Sequence, residues 1–264
     1  MTRNPWLALV PLALMGAACS APQEPALVRA AELPVPIKTV DDIPFKTSAF
    51  TFVRIKYSGA GNSWAVDYPA ADREFSAHVQ NLTGLSTNGA GLVLELTDSK
   101  LRRYPFIYIV EGGRMSLSDA EVTGLRQYLL GGGFLMVDDF WGAEDWASLR
   151  TELRRVFPNR EPVELSTDHE IFRSLYEFNE TPQVPSILAL QQRDTRESTE
   201  AEPHYFGLLD DTGRLMAVLC HNSDFGDAWE DVWESDGDPA YPRELSWGRG
   251  IPMGVNIAVY ALSH

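Results

Sequence analysis

Hydrophobic positions along this chain follow two rhythms that trade places every ten to fifteen residues or so. FTFVRIKY (50–57) sets aromatic or β-branched residues at every second position, which predicts a strand. From Asp72 to Leu82 the apolar residues Phe75, Val79 and Leu82 recur at helical spacing. LVLEL (92–96) and FIYIV (106–110) are short, continuously apolar runs of the kind found in buried strands. Ser118 and Glu121 form a capping box opening a helix that stops at Gly131. FLMV (134–137) then predicts a strand, and Trp146, Leu149, Leu153 and Val156 predict a helix ended by Pro158. Glycines 131–133 precede a strand, so they read as a helix stop and not as a phosphate loop. Such βα alternation predicts an α/β fold with a mostly parallel sheet covered on both faces. The last third changes character. HYFGLLDDTGRLMAVLC (204–220) predicts a β-hairpin turning at Asp211-Thr-Gly213, followed by a closing helix from Pro252 to about Leu262.

The first residues obey neither rhythm. Arg3 precedes an apolar run from Trp6 to Ala18 that is too short for a membrane span and reads as an export signal. It ends in Leu-Met-Gly-Ala-Ala-Cys (14–19), which resembles a bacterial lipobox and implies lipidation of Cys19; an ordinary signal peptide is the alternative. Residues 20–48, rich in Pro and Ala, have the composition of a linker, so the folded domain is expected over 49–264. The expected location is the periplasmic side of a bacterial membrane. Besides Cys19 the chain holds only Cys220, so no disulfide is expected within the domain. With 37 acidic against 22 basic residues, net charge is −15, which argues against nucleic acid and against electrostatic docking on anionic lipid.

The candidate chemistry gathers at predicted strand ends. Asp138 and Asp139 close the FLMV strand, and ligands of open α/β sheets bind outside the carboxyl ends of strands. Some hydrolases hold a nucleophile on a strand-to-helix elbow at such a point, whereas this elbow carries carboxylates. Strand alternation makes the two acids face opposite ways, one into the crevice and the other toward backbone amides. A carboxylate here can serve as general base, metal ligand or acceptor for a sugar hydroxyl; equally, it can simply favour the next helix's N-terminus. Asp67, in the first βα loop beside Trp64 and Tyr68, sits at the same edge. His204 and His221 lie near the open end of the hairpin, and with Asp224 and Asp139 they make a two-histidine, two-acid set for a transition metal. The spacing matches no recognised metal motif, and hydrogen-bonded histidines are the alternative. The stretch from Asp224 to Asp238 is rich in acids but lacks EF-hand order, so it is expected to be a solvated loop anchored by Trp229 and Trp233. His78 is expected on a helix surface, His169 at a polar helix start and His264 at the chain end.

FTFVRIKYS, WAVDYPAADREF, YPFIYIVEGGRMSLSDAEVTGLRQYLLGGGFLMVDDFWG, EPHYFGLLDDTGRLMAVLCHNSDFGDAWE and IPMGVNIAVYALSH together resemble one bacterial family, domain of unknown function 4159, over roughly residues 50–264. The resemblance implies a three-layer α/β sandwich similar to class I glutamine amidotransferases and no known reaction. On that comparison IVEGG (109–113) is similar to the strand and glycine turn before the elbow, and VDDFWG (137–142) to the elbow itself. Asp139 then stands nearest the nucleophile's place, His221 is the triad-like histidine and Asp224 its orienting acid. The missing Cys removes glutamine hydrolysis, and Cys220 points away from His221 by strand alternation.

Two functions remain open at this point. One is a noncatalytic module binding an envelope protein, a small molecule or a sugar through Asp67, Glu111, Asp138, Asp139, His204, His221 and Asp224. The other is a hydrolase using Asp139 as base, or a metal on His204, His221 and Asp224. No cofactor is expected on the first reading and a divalent metal on the second.

Overall fold

The computed structural model describes residues 49–59, 61–186, 202–230 and 241–264, with isolated positions at 38, 41, 43–45, 47 and 189. The signal-like segment with Cys19, most of the linker, and Trp233 lie outside the described residues. In chain order the elements are β1 (Ala49–Phe50), β2 (Val53–Ile55), α1 (Ala70–Thr83), β3 (Ser86–Thr87), β4 (Leu92–Leu94), β5 (Phe106–Ile109), α2 (Asp119–Leu130), β6 (Phe134–Phe140), α3 (Gly142–Val156), β7 (Val163–Glu164), β8 (His204–Leu209), β9 (Leu215–His221), α4 (Phe225–Trp229) and α5 (Ile251–Ser263). A π-helical stretch, Tyr241–Gly250, leads directly into α5.

The main sheet has seven strands in the order β4-β2-β5-β6-β9-β8-β7. The first five are mutually parallel, and β8 and β7 continue the sheet antiparallel to their neighbours. Numbered along the chain, the parallel strands run 2-1-3-4-5, the flavodoxin-like doubly wound order, with its topological switch point between β2 and β5. The expected hairpin is β8–β9, and the expected closing helix is α5. The run 50–57 is not one strand: its start, β1, pairs with β3 in a separate two-stranded sheet, while β2 enters the main sheet.

Period-2 alternation sorts the strand side chains into two cores. Phe50, Phe52, Phe106, Tyr108, Met136, Val218 and Cys220 pack against α1, α4 and α5. Val53, Ile55, Ile107, Ile109, Leu135, Val137 and Leu219 pack against α2 and α3. The result is the three-layer sandwich. The capping box at the start of α2 forms, with Glu121 Oε2 accepting from the Ser118 amide at 2.8 Å and the Ser118 hydroxyl accepting from the Glu121 amide at 3.3 Å. Packing starts a little before Ala49, because Ile43 is buried in the first core and Phe45 lies against it.

Two local expectations are corrected. His78 is buried, edge-to-face with Trp247 at 5.0 Å, so the apolar face of α1 is wider than its Phe75–Val79–Leu82 stripe. Burial lowers the pKa of His78. Residues 225–229 form no solvated loop. They make the short helix α4, whose Trp229 is fully buried and stacks on Phe75 at 4.1 Å. Among the described residues no helix is long and apolar enough to cross a membrane.

Candidate functional site

Among the described residues four that are not glycine adopt a left-handed backbone: Asp67, Glu111, Asp139 and Asn222, with φ of 60, 52, 51 and 60°. Asp139 lies at the carboxyl end of β6, and the other three lie beyond the carboxyl ends of β2, β5 and β9. Such conformations persist where surrounding structure over-determines them, and they cluster at functional sites.

At the end of β6 the pairing with β9 shifts register between Val137 and Phe140. Val137 and Phe140 both lie in the α2/α3 core, so the bulge absorbs a residue and leaves Asp139 out of the alternation. Asp138 keeps its phase on the α1/α5 side. Its Oδ2 accepts hydrogen bonds from the Tyr108 hydroxyl (2.9 Å) and from the amides of Phe225 (2.9 Å) and Gly226 (3.2 Å) at the start of α4. The expectation that one acid is held by backbone amides is met by Asp138. Its Oδ1 is buried without a hydrogen-bond partner among the described residues. Burial raises its carboxyl to about 7, against those same hydrogen bonds. Asp139 accepts from the Trp141 indole N–H at 2.8 Å and is itself buried. Burial, then Glu111 and Asp138, push its carboxyl well above the usual range.

Across the switch point stands Asp67. The loop that carries it is fastened by Arg54, whose guanidinium donates to Asp72 (2.9 Å from Nε) and to the carbonyls of Trp64 (3.2 Å) and Val66 (2.9 Å). Asp67 Oδ2 is buried without a hydrogen-bond partner among the described residues, facing Gly226; a Cβ there would lie 2.2 Å from it. Burial first, then Asp227 and Glu230, raise Asp67 to about 8. Burial and Asp227 raise Glu230 to about 7. Asp67, Asp227 and Glu230 offer ligand oxygens within 4.8 Å of one another, a group that could hold a metal ion. Asp224 borders it. Its Oδ1 accepts the Asp227 amide at 3.0 Å, and burial followed by Asp227 and Asp139 pushes its carboxyl well up.

Glu111 caps the turn after β5 beside Arg114, at 3.3 Å. The Tyr57 hydroxyl braces the turn by donating to the carbonyls of Val110 (3.0 Å) and Glu111 (3.1 Å).

The histidines occupy the opposite face of the same edge. His204 and His221 are direct cross-strand partners with ring centroids 6.0 Å apart, as the hairpin predicted. His221 is buried against Phe140 and Trp146, and Trp146 stacks on Phe206 at 4.3 Å. The expected Asp224–His221 contact does not form. His221 Nε2 meets the Gly142 carbonyl at 2.9 Å, its Nδ1 has no hydrogen-bond partner among the described residues, and Asp224 is committed to capping α4. Nor do His204, His221 and Asp224 offer ligand atoms within one metal's reach; bulge and alternation put acids and imidazoles on different faces. Cys220 is a buried free thiol on the first core's side, away from His221 as expected. His169 does start a short helix, its Nδ1 accepting the Ile171 amide, and His264 pairs with Glu170 at 2.9 Å.

Arg54, Asp227 and Glu230 escaped the sequence reading. For Arg54 a signal existed, since it shares the inward phase of Phe50 and Phe52.

The family model described as Domain of unknown function (DUF4159) matches residues 51–262, and the chain belongs to that family. No curated protein matches it.

Proposed function

We propose that this member of the DUF4159 family is an exported, lipid-tethered binding module of the bacterial envelope, with its ligand site in the acidic crevice at the switch point. The crevice lies where doubly wound sheets bind ligands. What carries the reading is a crowd of desolvated acids: Asp67, Asp138, Asp139, Asp224, Asp227 and Glu230 converge there, and among the described residues Asp67 Oδ2 and Asp138 Oδ1 are buried without a hydrogen-bond partner. Arg54, the cation whose field reaches Asp67 and Glu230, already has Asp72 and two carbonyls to serve. A fold gains nothing from desolvated acids held against one another. A ligand bringing positive charge or hydrogen-bond donors would restore the balance, so the class is cationic or hydroxyl-rich, with a hard divalent cation as the simplest member. The lipobox-like Cys19 and the long linker support the tether.

The test is thermal unfolding of the wild-type chain with calcium, manganese, polyamine and sugar panels, repeated on Asp67→Asn. Stabilisation by one class that vanishes in the variant supports the reading. A wild type indifferent to every panel, or a variant that responds equally, sinks it.

A second reading, a carboxylate-dependent hydrolase, is supported by Asp139 alone. It stands on a left-handed bulge at the elbow, and burial, then Glu111, push its carboxyl above the ordinary range, the direction a general acid beside a second carboxyl needs. Turnover of any glycoside or ester that Asp139→Asn abolishes, with the fold intact, would favour it over simple binding.

A further inference from the structure

On the face of the sheet away from the acidic crevice, His204 and His221 are cross-strand neighbours whose outer hydrogen bonds fix which nitrogen each ring leaves open. The Gly142 carbonyl can only accept, so the 2.9 Å contact fixes the proton of His221 on Nε2 and leaves the lone pair on Nδ1. That Nδ1 is buried and has no hydrogen-bond partner among the described residues. Burial keeps the ring below its ordinary pKa, so the lone pair is present at neutral pH. In His204 the 2.6 Å contact from Nδ1 to Glu164 Oε1 places a proton on Nδ1, which leaves Nε2 as the nitrogen facing away from that carboxylate. A carbonyl behind one imidazole and a carboxylate behind the other are the outer partners that set the tautomer and orientation of ligating histidines.

Register fixes the pair, because His204 and His221 face each other directly across β8 and β9. The centroid separation of 6.0 Å, with planes 25° apart, suits a shared ion. Two imidazoles each holding one ion at about 2 Å have centroids roughly 5–6 Å apart. Phe140, Trp146 and Phe206 wall the pair, which lowers the local dielectric and restricts water. His204 keeps 33% of its side chain exposed, so an ion has a way in and can retain water ligands.

We propose that His221 Nδ1 and His204 Nε2 form a two-histidine site for a borderline transition-metal ion of the zinc–copper class, completed by water, with Glu164 as the positioning residue behind His204. Nitrogen ligands without carboxylates select against calcium and magnesium, so this site and the acidic crevice discriminate different ions. The inference does not rest on the function proposed for the crevice.

The experiment is calorimetric titration of the full chain with zinc chloride, plus electron paramagnetic resonance of the one-equivalent copper(II) complex. The expected result is one zinc per chain and a copper spectrum with nitrogen hyperfine structure. His204→Ala and His221→Asn should each weaken zinc at least about tenfold, and Glu164→Gln about tenfold by releasing the outer partner. Asp67→Asn, which alters the crevice, should leave zinc affinity unchanged. Circular dichroism confirms that each variant is folded. Should His221→Asn fail that check, the His204→Ala result and the copper spectrum decide. Absence of stoichiometric zinc binding, a copper spectrum without nitrogen coupling, or unchanged affinity in folded histidine variants would overturn the proposal. Loss of zinc in Asp67→Asn alone would move the site to the crevice and overturn it too.

Discussion

Arg54–Asp72 and Asp67–Asp227–Glu230 are two charged groups, the first fully buried and the second only partly so, and they are assembled on opposite terms. In the first, a fully buried guanidinium meets a fully buried carboxylate, and its remaining donors find the carbonyls of Trp64 and Val66. Tyr108 lies under it, the guanidinium carbon 5.0 Å from the ring centroid. In the second, three acids share a space and raise one another's pKa, and Asp67 Oδ2 is buried without a hydrogen-bond partner among the described residues. Buried charge that is matched reads as architecture. Buried charge left unmatched reads as a place for something else to bind, and the matched pair is what holds the Asp67 loop in position.

The comparison breaks most visibly at its matched half. Arg54→Met strands the Asp72 carboxylate in the core and should destabilise the protein by about 3–5 kcal/mol. Adding Asp72→Leu to that variant should recover much of the loss, since removing both charges leaves no orphan. Urea unfolding of the three proteins measures this. Equal stability of the single and double variants would mean that the pair acts by fastening the loop and not by charge.

A smaller effect is expected from Gly226→Ala. Its Cβ would stand 2.2 Å from Asp67 Oδ2, at the point where α4 closes over the carboxylate. Crowding of this kind costs about 1–3 kcal/mol, and it should remove the response to a crevice ligand while sparing the Arg54–Asp72 pair. Thermal unfolding with and without the stabilising ligand separates the two consequences. A variant of native stability would mean that Asp67 swings aside freely, which a built site would resist.

The matched and unmatched halves were unequally legible in the sequence. Strands announced themselves because FIYI and LMAVLC are short, continuously apolar runs of the buried-strand type, and hairpin register alone brought His204 to His221. The position of Asp139 did not follow, because a bulge is decided by tertiary pairing between β6 and β9 and leaves no period to read. The acids of 224–230 masked Phe225, Ala228 and Trp229, three apolar residues that pin α4 into the core. A helix of five residues is too short for its periodicity to outweigh composition. Asp227 and Glu230 were lost with it. Proximity across a hairpin is local geometry, whereas the carboxylate group joins the loop after β2 to a helix after β9 and exists only once the sheet is assembled.

The last expected change carries the opposite sign, which makes it the sharpest test. Asp67, Asp138 and Glu230 have folded pKa values raised to about 8, 7 and 7. A carboxyl whose folded pKa is raised contributes stability that is fully present below its unfolded pKa and is lost as pH rises through the folded value. Without ligand, stability should therefore decline between about pH 4 and pH 8. Asp67→Asn keeps the shape and removes the charge, so at pH 8 it should be more stable than wild type by at least about 1.4 kcal/mol, which one pKa unit alone is worth. At pH 4 the two should be equal, because both then present a neutral group to Asp227 and Glu230. Chemical denaturation at the two pH values in the presence of a chelator reads this directly. If the variant is less stable at pH 8, the Asp67 carboxylate is matched in the folded protein, and the contrast with Arg54–Asp72 fails. If it is more stable only until a divalent cation is added, the unmatched charge and the ligand site are one feature.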